Sequence, residues 1–150
     1  MAWWGAYIGR SFGDRSECWS LVREVYRDRL GVDLPEHGDL SAQYVAAVEG
    51  LRSGTFTPDQ AAAARRAVMQ AFDAGQATES WMPVSRAQPF DVVLMGGPHA
   101  HRGRVMHVGV AVDSVRVLHI EKATGSVVVP LAHPSVAGRI IGYRRHVTRW

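Results

Sequence analysis

A single cysteine, Cys18, occurs in the 150 residues. An internal disulfide is therefore excluded, and the fold does not depend on an oxidising compartment. No apolar run approaches the roughly 18 residues needed to span a bilayer, so membrane insertion is not expected. The opening MAWWGAYIGR lacks the basic start, apolar stretch and small-residue cleavage site of a secretory leader, and no signal peptide is expected. A strong charge of one sign is missing as well. The 17 Lys and Arg against 14 Asp and Glu leave a net charge of +3. These basic residues are scattered, without the basic run interleaved with aromatics that marks a nucleic-acid surface, so no nucleic-acid partner is expected. Internal repeats and low-complexity linkers are also lacking. At 47% hydrophobic and 21% charged, the composition suits one globular core, and a single domain over residues 1–150 is expected.

The first half reads as helical. Ser16 is a fitting cap, and from Cys18 the apolar positions Leu21, Val22, Val25, Tyr26 and Leu30 form one stripe, with Arg23, Glu24, Arg27 and Asp28 opposite. A second helix starts at Asp39 or Ser41 and ends at Gly50. The TPDQ of residues 57–60 opens a third, with Thr57 as cap, Pro58 at the first helical position, Gln60 closing a capping box and Gly75 as the stop. After about residue 80 the texture changes to short β-branched runs at 91–95, 104–112, 115–121, 126–131 and 139–146. The links between them are too short for parallel crossovers. Helices followed by an antiparallel sheet of about five to six strands make an α+β fold.

A thiol becomes a useful nucleophile when its pKa falls, and a helix N-terminus with a neighbouring imidazole is a common way to lower it. Cys18 has the helix start. Two of the seven histidines lie within predicted strands, His107 in MHVGVAV and His119 in VLHIE. An odd-length loop or a bulge between those strands brings both rings to one face, whereas a two-residue turn at Asp113-Ser114 sets them on opposite faces. On one face, His107 would take and return the thiol proton and His119 would hold its tautomer. Amide N–H groups at the helix start would serve the oxyanion. The competing reading of Cys18 is a small buried core residue, since it falls in phase with the apolar stripe. His99 and His101 form a His-x-His pair on the glycine-rich segment 96–104, with no matching Cys or acid cluster. They read as solvated, and no metal or cofactor is expected. His37, His133 and His146 have no motif around them. Trp19, beside the nucleophile and off the stripe, is the aromatic best placed for a substrate cleft.

Taken together, CWSLVREVYRDRLGVDLP, PFDVVLM, MHVGVAV, VLHIEKATGSVVVPL and RIIGYRRH resemble the nucleophile helix and successive strands of NlpC-type cell-wall cysteine peptidases. The likeness is to the branch of tailed phages and phage-like gene-transfer particles. It spans most of the chain and implies a papain-like domain with nucleophile Cys18, base His107 and orienting His119. The pattern departs at Glu17, where the family commonly has Asp, and at Ser20, where it has Gly. Phe12 stands near the position of an oxyanion tyrosine and has no hydroxyl, so Tyr7 or a backbone amide would substitute. Tyr7, Phe12, Trp19 and Ser20 are thus the candidate substrate-side residues. The resemblance further implies a peptidoglycan stem peptide as substrate, cut through a thioester, often between γ-D-glutamate and diaminopimelate. It also implies residence at the tail tip of a phage-like particle, bound to hub or fibre proteins. The alternatives are a structural tail-tip adaptor without turnover, and an amidase or acyltransferase on the same scaffold.

Overall fold

The computed structural model describes residues 2–13, 17–34, 51, 53–66, 81–96 and 107–150. The chain divides into two compact units, Met1–Leu34 with Glu79–Trp150, and Pro35–Thr78. In the second unit the described helix α2 covers residues 58–66. Its start follows the expected capping box. Gln60 N–H donates to Thr57 Oγ1 at 3.2 Å, and Thr57 N–H donates to Gln60 Oε1 at 3.0 Å. The helix expected at 39–50 and the continuation to Gly75 lie outside the described residues.

The first unit opens with a 3-10 turn, Trp3–Tyr7, and helix α1, Cys18–Leu30. Ser16 lies outside the described residues. The N-cap is Glu17, whose carboxylate accepts the Ser20 N–H while its own N–H donates to Ser20 Oγ at 2.7 Å. This is the capping box with acid and hydroxyl exchanged, and it starts the helix at Cys18. Gly31, at φ 65°, closes the helix in the left-handed conformation, which costs a glycine little. The stripe Leu21, Val22, Val25 and Tyr26 is buried, each side chain contributing about 1.5–3 kcal/mol relative to exposure. Helix α1 packs on the two strands that carry the histidines.

Six strands follow: β1 (Trp81–Val84), β2 (Val92–Met95), β3 (His107–Ala111), β4 (Arg116–Glu121), β5 (Gly125–Pro130) and β6 (Ile140–His146), with a short helix α3 (Pro134–Ala137) before the last. They form one antiparallel sheet in the order β1-β6-β2-β3-β4-β5. Strand β1, WMPV, is the one not expected from the sequence. It sits at the sheet edge beside β6, a position that tolerates Pro83. At the other edge, Gly9 N–H donates to Ser126 O and Ser126 N–H to Arg10 O, both at 2.9 Å, so the N-terminal segment covers β5.

The β3–β4 hairpin decides which way the histidines face. Val110 pairs with Leu118 and Ala111 with Val117, which centres the loop on Ser114 and makes it odd. Val112 N–H closes the loop on Arg116 O at 3.0 Å, and Asp113 Oδ1 accepts Val115 N–H at 2.9 Å. His107, Gly109, Ala111, Val117 and His119 therefore share one face. Val93, Met95, Ala111, Val117, Ala87 and the α3 residue Val136 form a buried cluster there. The β4–β5 ladder has six pairs and the β3–β4 ladder two. No helix among the described residues is long and apolar enough to cross a membrane.

Candidate active site

Cys18 occupies the first position of α1, where amide N–H groups lack intrahelical acceptors. Its half-buried side chain places the sulfur within hydrogen-bonding reach of three N–H groups, those of Val108, Trp19 and Cys18 itself. Val108 follows His107 directly, which ties the helix start to the histidine strand. The sequence leads one to expect a depressed thiol pKa here. The structure corrects that: burial pushes the Cys18 thiol above its usual value, and the three N–H donors oppose the shift without cancelling it. Desolvation of the anion outweighs the helix terminus.

His107 Nε2 and His119 Nδ1 face each other at 2.9 Å with the rings nearly perpendicular. Both rings are buried, so water does not compete for this bond. Burial first, then the charges of His119 and Arg139, push His107 down to about 3. Burial also lowers His119, with Glu121 opposing and Arg139 reinforcing. Near neutral pH the resting site is then a neutral thiol beside two neutral imidazoles joined by one N–H···N bond. Because Nε2 of His107 is engaged by His119, Nδ1 is the ring nitrogen left to serve a thiol.

Two further residues complete the cluster and were not singled out from the sequence. Glu121 Oε1 lies 3.8 Å from His107 Nε2 and 3.9 Å from His119 Nδ1. Arg139 holds that oxygen through Nη1 at 2.5 Å, while its Nε donates to Gly96 O at 2.9 Å and Nη1 reaches Ser135 O at 3.2 Å. The hint for Glu121 was its place two residues beyond His119 on the same strand face. Arg139 left none, since it returns from a distant turn. His107, His119 and Glu121 are also the described residues whose donor atoms could converge on a metal ion. However, the two ring nitrogens bond each other and a guanidinium already sits on the carboxylate, an arrangement suited to passing a proton rather than to nesting a cation.

The expected substrate-side residues are placed differently. The Tyr7 hydroxyl donates to Asp28 Oδ2 at 3.1 Å, ten residues beyond Cys18 and about 15 Å along the helix, so it is not an oxyanion donor. The Ser20 hydroxyl is taken up by the cap, donating to Glu17 O at 3.0 Å. Trp19 is 8% exposed and offers a substrate little surface. Phe12 is half-buried, with Lys122 Nζ 6.0 Å from its ring centre. What remains for an oxyanion among these elements is the backbone N–H groups at the start of α1. His99, His101 and His37 lie outside the described residues. His133 caps α3 by accepting Ser135 N–H, and His146 packs against Trp81 and Tyr26.

Among known proteins, no curated one matches this chain. A crystal structure of a protein similar to a lipoprotein of the NLP/P60 family, from Staphylococcus aureus subsp. aureus Mu50, superposes with a TM-score of 0.53 at 20% identity. The alignment covers 94% of this chain and 37% of that one, so this chain spans well under half of that protein's length. At this identity the likeness shows a shared fold, the papain-like α+β arrangement described above. The family so indicated typically comprises cysteine peptidases and other hydrolases of the cell wall. With its characteristic pattern matched over residues 3–145, the chain belongs to the NlpC/P60 family.

Proposed function

We propose that the protein is a cysteine peptidase that hydrolyses peptidoglycan stem peptides, with Cys18 as nucleophile, His107 as general base and acid, and His119 as the residue that orients His107. One observation carries this reading: the 2.9 Å contact of His107 Nε2 with His119 Nδ1, beside a Cys18 sulfur that the Val108 N–H reaches. In this scheme the Cys18 S–H bond breaks as its proton moves to His107 Nδ1, and the thiolate adds to the carbonyl carbon of the scissile amide. The N–H groups at the start of α1 bind the oxyanion. His107 passes the proton to the leaving nitrogen as the C–N bond breaks, leaving a thioester. Water, deprotonated by His107, then hydrolyses the thioester and restores the thiol.

The finer assignments rest on the sequence likeness alone. The bond between γ-D-glutamate and diaminopimelate is the proposed point of cleavage. A phage-like tail tip is the proposed location, with hub or fibre proteins as neighbours and local wall digestion as the purpose. The engaged Tyr7 hydroxyl and the hydroxyl-free Phe12 favour one competing reading, a tail adaptor that keeps the fold without turnover. An amidase or acyltransferase would share the same three residues and differ in its acceptor.

One experiment separates these readings. Purified protein and its Cys18→Ala variant are incubated with peptidoglycan, and the soluble fragments are identified by mass spectrometry. New termini at a stem-peptide amide with the wild type alone support the peptidase. Identical products from both proteins, or none from either, overturn it in favour of the adaptor.

A further inference from the structure

The carboxylate of Glu121 is the one acidic group within 4 Å of the facing nitrogens of both imidazoles among the described residues. It lies too far from either nitrogen for a hydrogen bond, so in this state it does not take their protons. Arg139 explains the spacing. Its guanidinium is bonded to Glu121, to the Gly96 carbonyl just past β2 and to the Ser135 carbonyl in α3, and so fixes the carboxylate in place. The charged and titratable groups that meet here are Cys18 from α1, His107 from β3, His119 and Glu121 from β4, and Arg139 from the turn before β6.

We propose that Glu121, clamped by Arg139, is a positioning residue of the histidine pair, its carboxylate balancing the positive charge that appears on His107 when the Cys18 thiol gives up its proton. This rests on the proposed roles of Cys18 and His107. The thiol must approach His107 from its Nδ1 side, because Nε2 is held by His119. The carboxylate also raises the Cys18 thiol, and on this proposal its attraction for the imidazolium, whose Nε2 lies 3.8 Å away, outweighs that opposing effect. Arg139 works against this charge while fixing its place. Burial leaves the pair neutral at rest, which makes a nearby fixed anion more influential than it would be in water.

The test reads proton transfer directly, without needing the natural substrate. The rate of Cys18 alkylation by iodoacetamide is measured from pH 5 to 9 on the full chain and three variants, with circular dichroism as the folding check. Glu121→Gln is expected to slow alkylation about tenfold near pH 6.5, moving the profile about one unit higher. Glu121→Asp restores part of the loss. Arg139→Gln moves the profile the other way, because it frees the carboxylate of its cation and removes a repulsive charge. Loss of structure in both variants would not move them in opposite directions. If one variant fails to fold, the sign of the other's shift still decides. A Glu121→Gln profile that superimposes on wild type, or an Arg139→Gln shift to higher pH, overturns the proposal. A protein that shows the expected shifts yet releases nothing from peptidoglycan would refute the peptidase reading and leave this inference standing.

Discussion

Gly109 lies beside His119 across the β3–β4 hairpin, and a Cβ built on it would come within 3.0 Å of His119 Cβ and 2.8 Å of the Leu118 carbonyl oxygen. Such a contact with backbone cannot be relieved by a side-chain turn. The glycine thus lets His119 lean across the gap towards His107, two residues earlier on the same strand face. Gly109→Ala should force β3 and β4 apart, costing about 1–3 kcal/mol of stability and lengthening the imidazole contact. Chemical denaturation should show the loss, and Cys18 alkylation should slow even where the variant is fully folded. Wild-type stability with wild-type alkylation would refute the steric argument.

The two histidines should behave as a unit. Removing the base in His107→Ala is expected to cut stem-peptide hydrolysis about 10²–10⁴-fold. His119→Ala acts through His107 and should cost less. In the double variant the His119 change should then add almost nothing, since its partner is gone. Rates measured under kcat/KM conditions for the four proteins check this. Losses that multiply would mean the residues act separately and would contradict the 2.9 Å contact as a functional link.

What the sequence revealed of this site was set by how local the determinants are. The β-branched runs and the cap at Thr57 are written in consecutive residues, and those elements could be read directly. The face shared by His107 and His119 could be read only as a condition, because it depends on whether one loop is odd, and Ser114 decided that through the Asp113 turn. Strand β1 was missed because four residues containing Pro83 carry no periodic signal, and pairing with β6 makes them a strand. The Tyr7 hydroxyl looked available because its bond to Asp28 joins residues 21 apart. Glu121 and Arg139 meet through a similar long-range return, 18 residues apart. The thiol pKa went the wrong way for a related reason: a helix start is visible in sequence, and the burial that outweighs it is not.

Asp91 is a second place where charge is buried, and it holds the sheet rather than the chemistry. It is 1% exposed, and its carboxylate accepts from Arg145 Nε at 2.9 Å, Arg145 Nη2 at 2.8 Å and Gln88 N–H at 2.8 Å. Arg145→Ala would leave this carboxylate buried without its cation, a loss of about 3–5 kcal/mol. The apolar pair Asp91→Leu with Arg145→Met should recover much of that loss, because the desolvation cost disappears with the charges. Urea midpoints of the three proteins give the comparison. A double variant less stable than Arg145→Ala would show that the ion pair itself, and not the burial of an orphan charge, is what matters.

Stability should fall as the solution is acidified below about pH 6.5, the ordinary histidine value. His107, His119 and His146 are all buried, and burial is the first cause lowering each of them. The folded chain therefore binds fewer protons than the unfolded chain between the lowered values and the ordinary one, and stability rises with pH across that window. The contribution is fully present above the unfolded value and is lost as pH falls, by at most about 1.4 kcal/mol per pH unit for each histidine. His107, at about 3, keeps its share of the slope going furthest into acid. Replacing His146 by Gln removes one proton from the difference without touching the proposed catalytic pair. Urea midpoints from pH 7.5 down to 5 should decline steeply for the wild type and less steeply for this variant, whatever its absolute stability. A flat wild-type profile over that range would show that these rings are not held neutral by the fold, and equal slopes for the two proteins would show it for His146.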